Sequence, residues 1–127
     1  MTSNDKHRKP LYDVPRVFVI CPGIHPYDAA AKLGTLIPIM PGRHNPFDMD
    51  NLVMRMRAEL LGNHNVQPED LLLLCGNGYL NSIAVALCQE RFGFYQVAIY
   101  GAKQGDYTPR RVIVGSDIRT SAGGAAS

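Results

Sequence analysis

The sequence predicts a small α/β domain with a mostly parallel sheet and an antiparallel hairpin at one edge. Three observations carry this reading. Leu71 to Cys75 is a short, unbroken apolar run of the kind that fits a strand buried on both faces. Gly76, Asn77 and Gly78 tolerate positive φ and turn the chain off that strand into a stripe of apolar residues at helical spacing. Tyr95, Val97, Ile99 and Tyr100 then supply the β-branched and aromatic character of a second strand. Strand, crossover helix and strand form a βαβ unit, right-handed in nearly every known case.

Taken in order, residues 1–15 carry Lys6, His7, Arg8 and Lys9 between chain start and prolines, and predict a flexible basic arm. Val17 to Cys21 reads as the first strand, ended by Pro22 and Gly23. Tyr27 to Leu33 allows at most about two helical turns, with Asp28 favouring the start and Gly34 the stop. Thr35 to Met40 is a second apolar segment, and Pro38 inside it points to an edge strand.

The polar loop PGRHNPFDMD ends in side chains suited to capping, and Met49, Leu52, Val53, Met56 and Leu60 follow at helical spacing. Gly62 to Asn65 lead back to the central strand. In the crossover helix Leu80, Ile83, Ala84, Leu87 and Cys88 share one stripe, and Gly93 suits a left-handed C-cap. Tyr107 to Val114 pairs most simply with Tyr95 to Ala102 through Lys103 to Asp106, closing a hairpin. Residues 117–127 are too poor in apolar side chains to fold alone. The element order gives a small Rossmann-like three-layer domain over residues 16–116, with a compact α+β sheet as the competing arrangement.

A chain of 127 residues with 46% hydrophobic and 19% charged residues is one ordinary globular domain, and no apolar run reaches the ~18 residues of a membrane span. The N-terminal segment has no apolar signal core and the cysteines number three, so the expectation is a reduced, cytoplasmic protein with no membrane partner. The net charge of +2 is too small to demand a polyanion.

Ligand sites in open α/β sheets lie outside the carboxyl ends of the strands. In this chain those loops hold Cys21 to His25, Pro41 to Asn45 and Gly76 to Tyr79. A glycine turn running into a helix start offers free N–H groups and a positive dipole end to a phosphate or carboxylate. The expected function is therefore binding of a small anionic ligand, a nucleotide above all, by Gly76, Asn77, Gly78 and Asn81, with Arg43, His44 and His25 as polar partners. The dinucleotide fingerprint is incomplete, because position 81 is Asn where a third glycine belongs. A tight turn alone accounts for the glycines, a helix cap for the asparagines and a solvated loop for Arg43 and His44.

No residue set specifies a reaction, so no catalytic residues and no cofactor are assigned. Cys21, His25, His44 and Cys75 match no metal-ligand spacing, Cys75 suits a small buried hydrophobe better than a nucleophile, and Asp48 and Asp50 suit a helix's first turn. Two alternatives remain. Lys103, Arg110, Arg111, Tyr100 and Tyr107 on the hairpin suit nucleic acid, aided by the basic arm. The free sheet edge suits a homodimer, with a structural or accessory role.

Overall fold

The computed structural model describes residues 15–23 and 27–114. The basic arm, apart from Pro15, and the C-terminal tail read from the sequence lie outside the described residues. Five strands form one sheet: β1 (Arg16–Val19), β2 (Thr35–Pro38), β3 (Leu71–Leu73), β4 (Phe94–Gly101) and β5 (Asp106–Ile113), in the order β2-β1-β3-β4-β5. β4 and β5 are antiparallel, and the other neighbours are parallel. The protein is α/β, with α1 (Met49–Met56) and α2 (Gly78–Phe92) as its α-helices.

β3 lies at the centre because both of its faces are covered. Leu72 meets Phe18, Leu52, Met56, Leu80 and Leu87 in a core under the two α-helices. Leu71 and Leu73 face the other way, against Val17, Val19 and Ala30. Among the described residues one 3₁₀ helix, Asp28–Leu33, packs on that second face, where the sequence allowed two turns. Unbroken apolar runs result wherever a strand is sandwiched in this way.

Pro38 closes β2 at the sheet edge, as expected of a residue with no N–H to give. The ladder still continues past it, with Ile39 N–H to the Val19 carbonyl at 3.0 Å and Met40 N–H to that of Ile20 at 2.9 Å. The helix after the polar loop has two parts, α1 and a π-helical continuation Arg57–Asn63. Its expected cap is absent: Asp48 makes no side-chain capping bond, while Asn45 Oδ1 accepts the Phe47 N–H at 3.0 Å. Gly93 ends α2 at φ 81°, as its sequence position required.

At the amino end of the sheet, Arg16 and Asp70 form a buried pair, with Nη2 2.6 Å from Oδ2 and Nε 3.2 Å from Oδ1. Arg16 also donates to the His64 carbonyl at 2.7 Å, which ties β1 to the chain entering β3. The hairpin turn is Ala102 to Gly105, one residue earlier than the spacing suggested, since Gly105 takes the left-handed position at φ 65°. Lys32 bonds the Asp106 carboxylate, joining the 3₁₀ helix to the hairpin and holding that carboxyl below its usual pKa. Among the described residues no helix is long and apolar enough to cross a membrane.

Candidate functional site

The chain runs outward from β1 to β2 and returns to β3 on the other side of β1, so the switch in strand order falls between β1 and β3. Ligand crevices in open α/β sheets form at the carboxyl side of such a switch. There the two strand ends are in close contact. Cys75 Sγ reaches the Cys21 carbonyl at 3.6 Å, and Gly76 takes φ 74°. A Cβ on Gly76 would stand 3.1 Å from the same carbonyl oxygen. The close approach and the positive φ together require glycine.

Asn77 is the N-cap of α2, its Oδ1 accepting the Leu80 N–H at 3.1 Å. That bond occupies one of the four unpaired donors at a helix start and leaves the N–H groups of Gly78 and Tyr79 at the positive end of the dipole. A Cβ at Gly78 would meet no atom within 4 Å, so this glycine is not required by packing. Asn81 follows one turn later; its N–H reaches the Asn77 carbonyl at 3.1 Å. Its side-chain oxygen is buried and has no partner among the described residues.

The second polar loop closes on the same helix start. Tyr79 donates its hydroxyl to the His44 carbonyl at 2.9 Å, and His44 Nε2 lies 3.1 Å from the Met40 carbonyl. The imidazole is thus used within its own loop, and Arg43 is exposed beside it. His25 lies outside the described residues. Gly76, Asn77, Gly78, Asn81 and His44 are therefore gathered around one strand-to-helix turn.

Sequence reasoning missed a concavity beside this turn. β3 ends at Leu73 while β4 runs on to Gly101, and the two strands register at Leu72 and Val97 alone. Where they part they leave a cavity of about 590 Å³ lined by Leu74, Cys75, Gly76, Ile99, Tyr100 and Tyr107, among others. Leu74 (36%), Ile99 (50%) and Tyr100 (54%) are left exposed there although all three are large and apolar. By strand alternation Leu74 and Ile99 lie on the α-helical side of the sheet, and Tyr100 and Tyr107 on the other. The two tyrosine rings are 5.2 Å apart at 55°. The sequence signal was available: an eight-residue β-rich segment beside a run of five apolar residues implies an overhang.

Cys75 and Cys88 are unsuited to attack. Burial pushes the Cys75 thiol up, nearby Cys21 adds to this, and the Cys21 carbonyl offsets part of it. Cys88 is pushed to about 11, chiefly by burial. A neutral thiol is a poor nucleophile and a poor metal ligand. Among the described residues no three His, Cys, Asp or Glu side chains converge as a metal site.

On the hairpin, alternation sets Arg111 on the face of Tyr100 and Tyr107 and Arg110 on the opposite face. Arg111 packs over the Phe94 ring, 4.3 Å from its centroid, and Arg110 bonds the Pro109 carbonyl at 2.9 Å. Lys103 is exposed in the turn. Compared with protein-family models, curated proteins and solved structures, the chain matches none.

Proposed function

We propose that this chain is a Rossmann-like binding domain for a small anionic ligand with a flat apolar body, a nucleotide, seated at the carboxyl end of β3 with its anionic end at the Gly76 to Gly78 turn. The observation that carries the reading is that Gly76 belongs both to the cavity wall and to the turn that starts α2. A volume of about 590 Å³ falls within the size of small-molecule pockets. Apolar walls suit a ring, and free N–H groups at a helix start suit a phosphate. Four parallel strands, with the order switching between β1 and β3, support the Rossmann-like plan. The arrangement binds and specifies no reaction.

Thermal shift against nucleotides and sugar phosphates tests this reading. A ligand at 100 times its dissociation constant adds about 2.7 kcal/mol, a rise of roughly 10 °C for a domain of this size. No shift with any phosphate compound refutes it.

The nucleic-acid alternative draws on the tyrosine pair and Arg111 sharing one hairpin face. It predicts affinity falling steeply with salt, with a slope near −0.7 per phosphate contact on single strands. The edge-pairing alternative draws on β5 as an outer strand, which Pro109 interrupts with its missing donor. A monomer by light scattering at high concentration removes it.

A further inference from the structure

The cavity has a polar wall that no side chain supplies. Pro109 pairs with Ala98 in an unbroken ladder, and a proline has no N–H to donate. The Tyr107 N–H is occupied by Asp106 Oδ1 at 2.9 Å, so it does not bond Tyr100 across the hairpin. Both facts make Ala98 with Pro109 and Tyr100 with Tyr107 the non-hydrogen-bonded pairs of the antiparallel ladder. Ala98 and Tyr100 must then turn their backbone groups away from β5, toward β3. Ala98 lies beside Val97, the residue in register with Leu72, so its N–H is placed to meet β3. Beyond Leu73 the neighbouring strand is gone, and among the described residues no backbone hydrogen bond joins Leu74, Cys75 or Gly76 to β4. The Ala98 carbonyl and the Tyr100 N–H and carbonyl therefore face the cavity as an acceptor, a donor and an acceptor in a row.

We propose that this edge reads the Watson–Crick side of adenine, making the ligand class adenine nucleotides; the proposal rests on the nucleotide reading above. The exocyclic N6–H donates to the Ala98 carbonyl, ring N1 accepts from the Tyr100 N–H, and C2–H lies against the Tyr100 carbonyl as a weak donor. The base lies in the plane of the sheet, with Leu74 and Ile99 on one face and the tyrosine pair on the other. A 6-oxopurine in the same pose sets its O6 against the Ala98 carbonyl and its N1–H against the Tyr100 N–H; to pair instead through N1–H and O6 it must turn over, which gives up the contact at the Tyr100 carbonyl and carries its sugar and phosphate away from the Gly76 turn. Backbone groups that lose their water to a bound base and gain no partner are costly, so exchanging the amino group for an oxo group is felt directly.

The test is calorimetric titration of the full chain with AMP and with IMP, which differ at purine position 6 and share the phosphate and sugar. AMP should bind about tenfold to a hundredfold more tightly than IMP, the discrimination expected of a bidentate base contact. Equal affinities, or tighter binding of IMP, overturn the adenine reading while leaving a nucleotide site standing. Binding of neither compound nor of any other nucleotide overturns both. Because only the ligand is altered, no outcome depends on a variant that fails to fold.

Discussion

Alanine placed at Gly76 and at Gly78 should move stability in opposite directions. At Gly76 the backbone sits at φ 74°, where an alanine costs about 1–2 kcal/mol relative to glycine. The new Cβ also stands 3.1 Å from the Cys21 carbonyl oxygen, a backbone atom that moves only if β1 moves. Lower chain entropy in the unfolded state returns about 0.5–1 kcal/mol. The net loss is about 1 kcal/mol, or roughly 4 °C in Tm. At Gly78 the backbone is helical and a Cβ meets nothing within 4 Å, so alanine gains up to about 0.5 kcal/mol, roughly 2 °C. Urea unfolding with unchanged m-values measures both. The Gly78→Ala methyl also stands at the helix start, where the phosphate is proposed to sit, so it should weaken nucleotide binding in a protein as stable as the parent. Shifts of the same sign in the two variants would refute this account of the turn. Unchanged affinity in Gly78→Ala would place the anion elsewhere.

Three further outcomes follow from the structure. Asp70→Ala takes from the buried Arg16 guanidinium the carboxylate at 2.6 Å and frees the Gln67 N–H, which now reaches that carboxylate at 2.7 Å, so urea titration should show a loss of about 3 kcal/mol. The double change Arg16→Met, Asp70→Leu should cost less than Asp70→Ala alone, because the guanidinium leaves together with its carboxylate. Tyr79→Phe removes the hydroxyl bond to the His44 carbonyl and should cost about 0.5–1.5 kcal/mol while speeding amide exchange in residues 42–46. Cys88, pushed up to about 11 from 9.0, keeps its proton when folded while the unfolded thiol loses it. Its contribution is intact below pH 9 and declines through pH 9–11, by on the order of 2 kcal/mol; Cys88→Ala should flatten the stability profile over that window.

Much of the fold was legible because it is local. Leu71 to Cys75 announced a two-sided strand, of which Leu71–Leu73 forms the strand itself, and Gly93 as a left-handed cap and Pro38 as an edge are found in those roles. Asn77 was legible as a cap, and its Oδ1 bond bears that out. Asp48, read with Asp50 into the helix's first turn, stands one step earlier at the N-cap and makes no capping bond there, because residue type does not fix where a side chain turns; Asn45 makes the local bond instead. The cavity was hidden for a different reason. It arises from a difference in length between β3 and β4, two segments 20 residues apart that no periodicity compares. The recognition edge was hidden more deeply still. Ladder parity depends on the absent N–H of Pro109 and on the Asp106 side chain taking the Tyr107 amide, and neither has meaning until the hairpin register is known.

The central claim is that a nucleotide occupies the space between the Gly76 turn and the overhanging half of β4. An amide chemical-shift titration of the ¹⁵N-labelled chain with AMP tests it most directly, because the proposed contacts are themselves backbone groups. Saturable shifts should concentrate at Gly76, Gly78 and Tyr79, where the phosphate sits, and at Ile99 and Tyr100 beside the base. Shifts confined to Lys103, Arg110 and Arg111, or none at millimolar AMP, would contradict the claim.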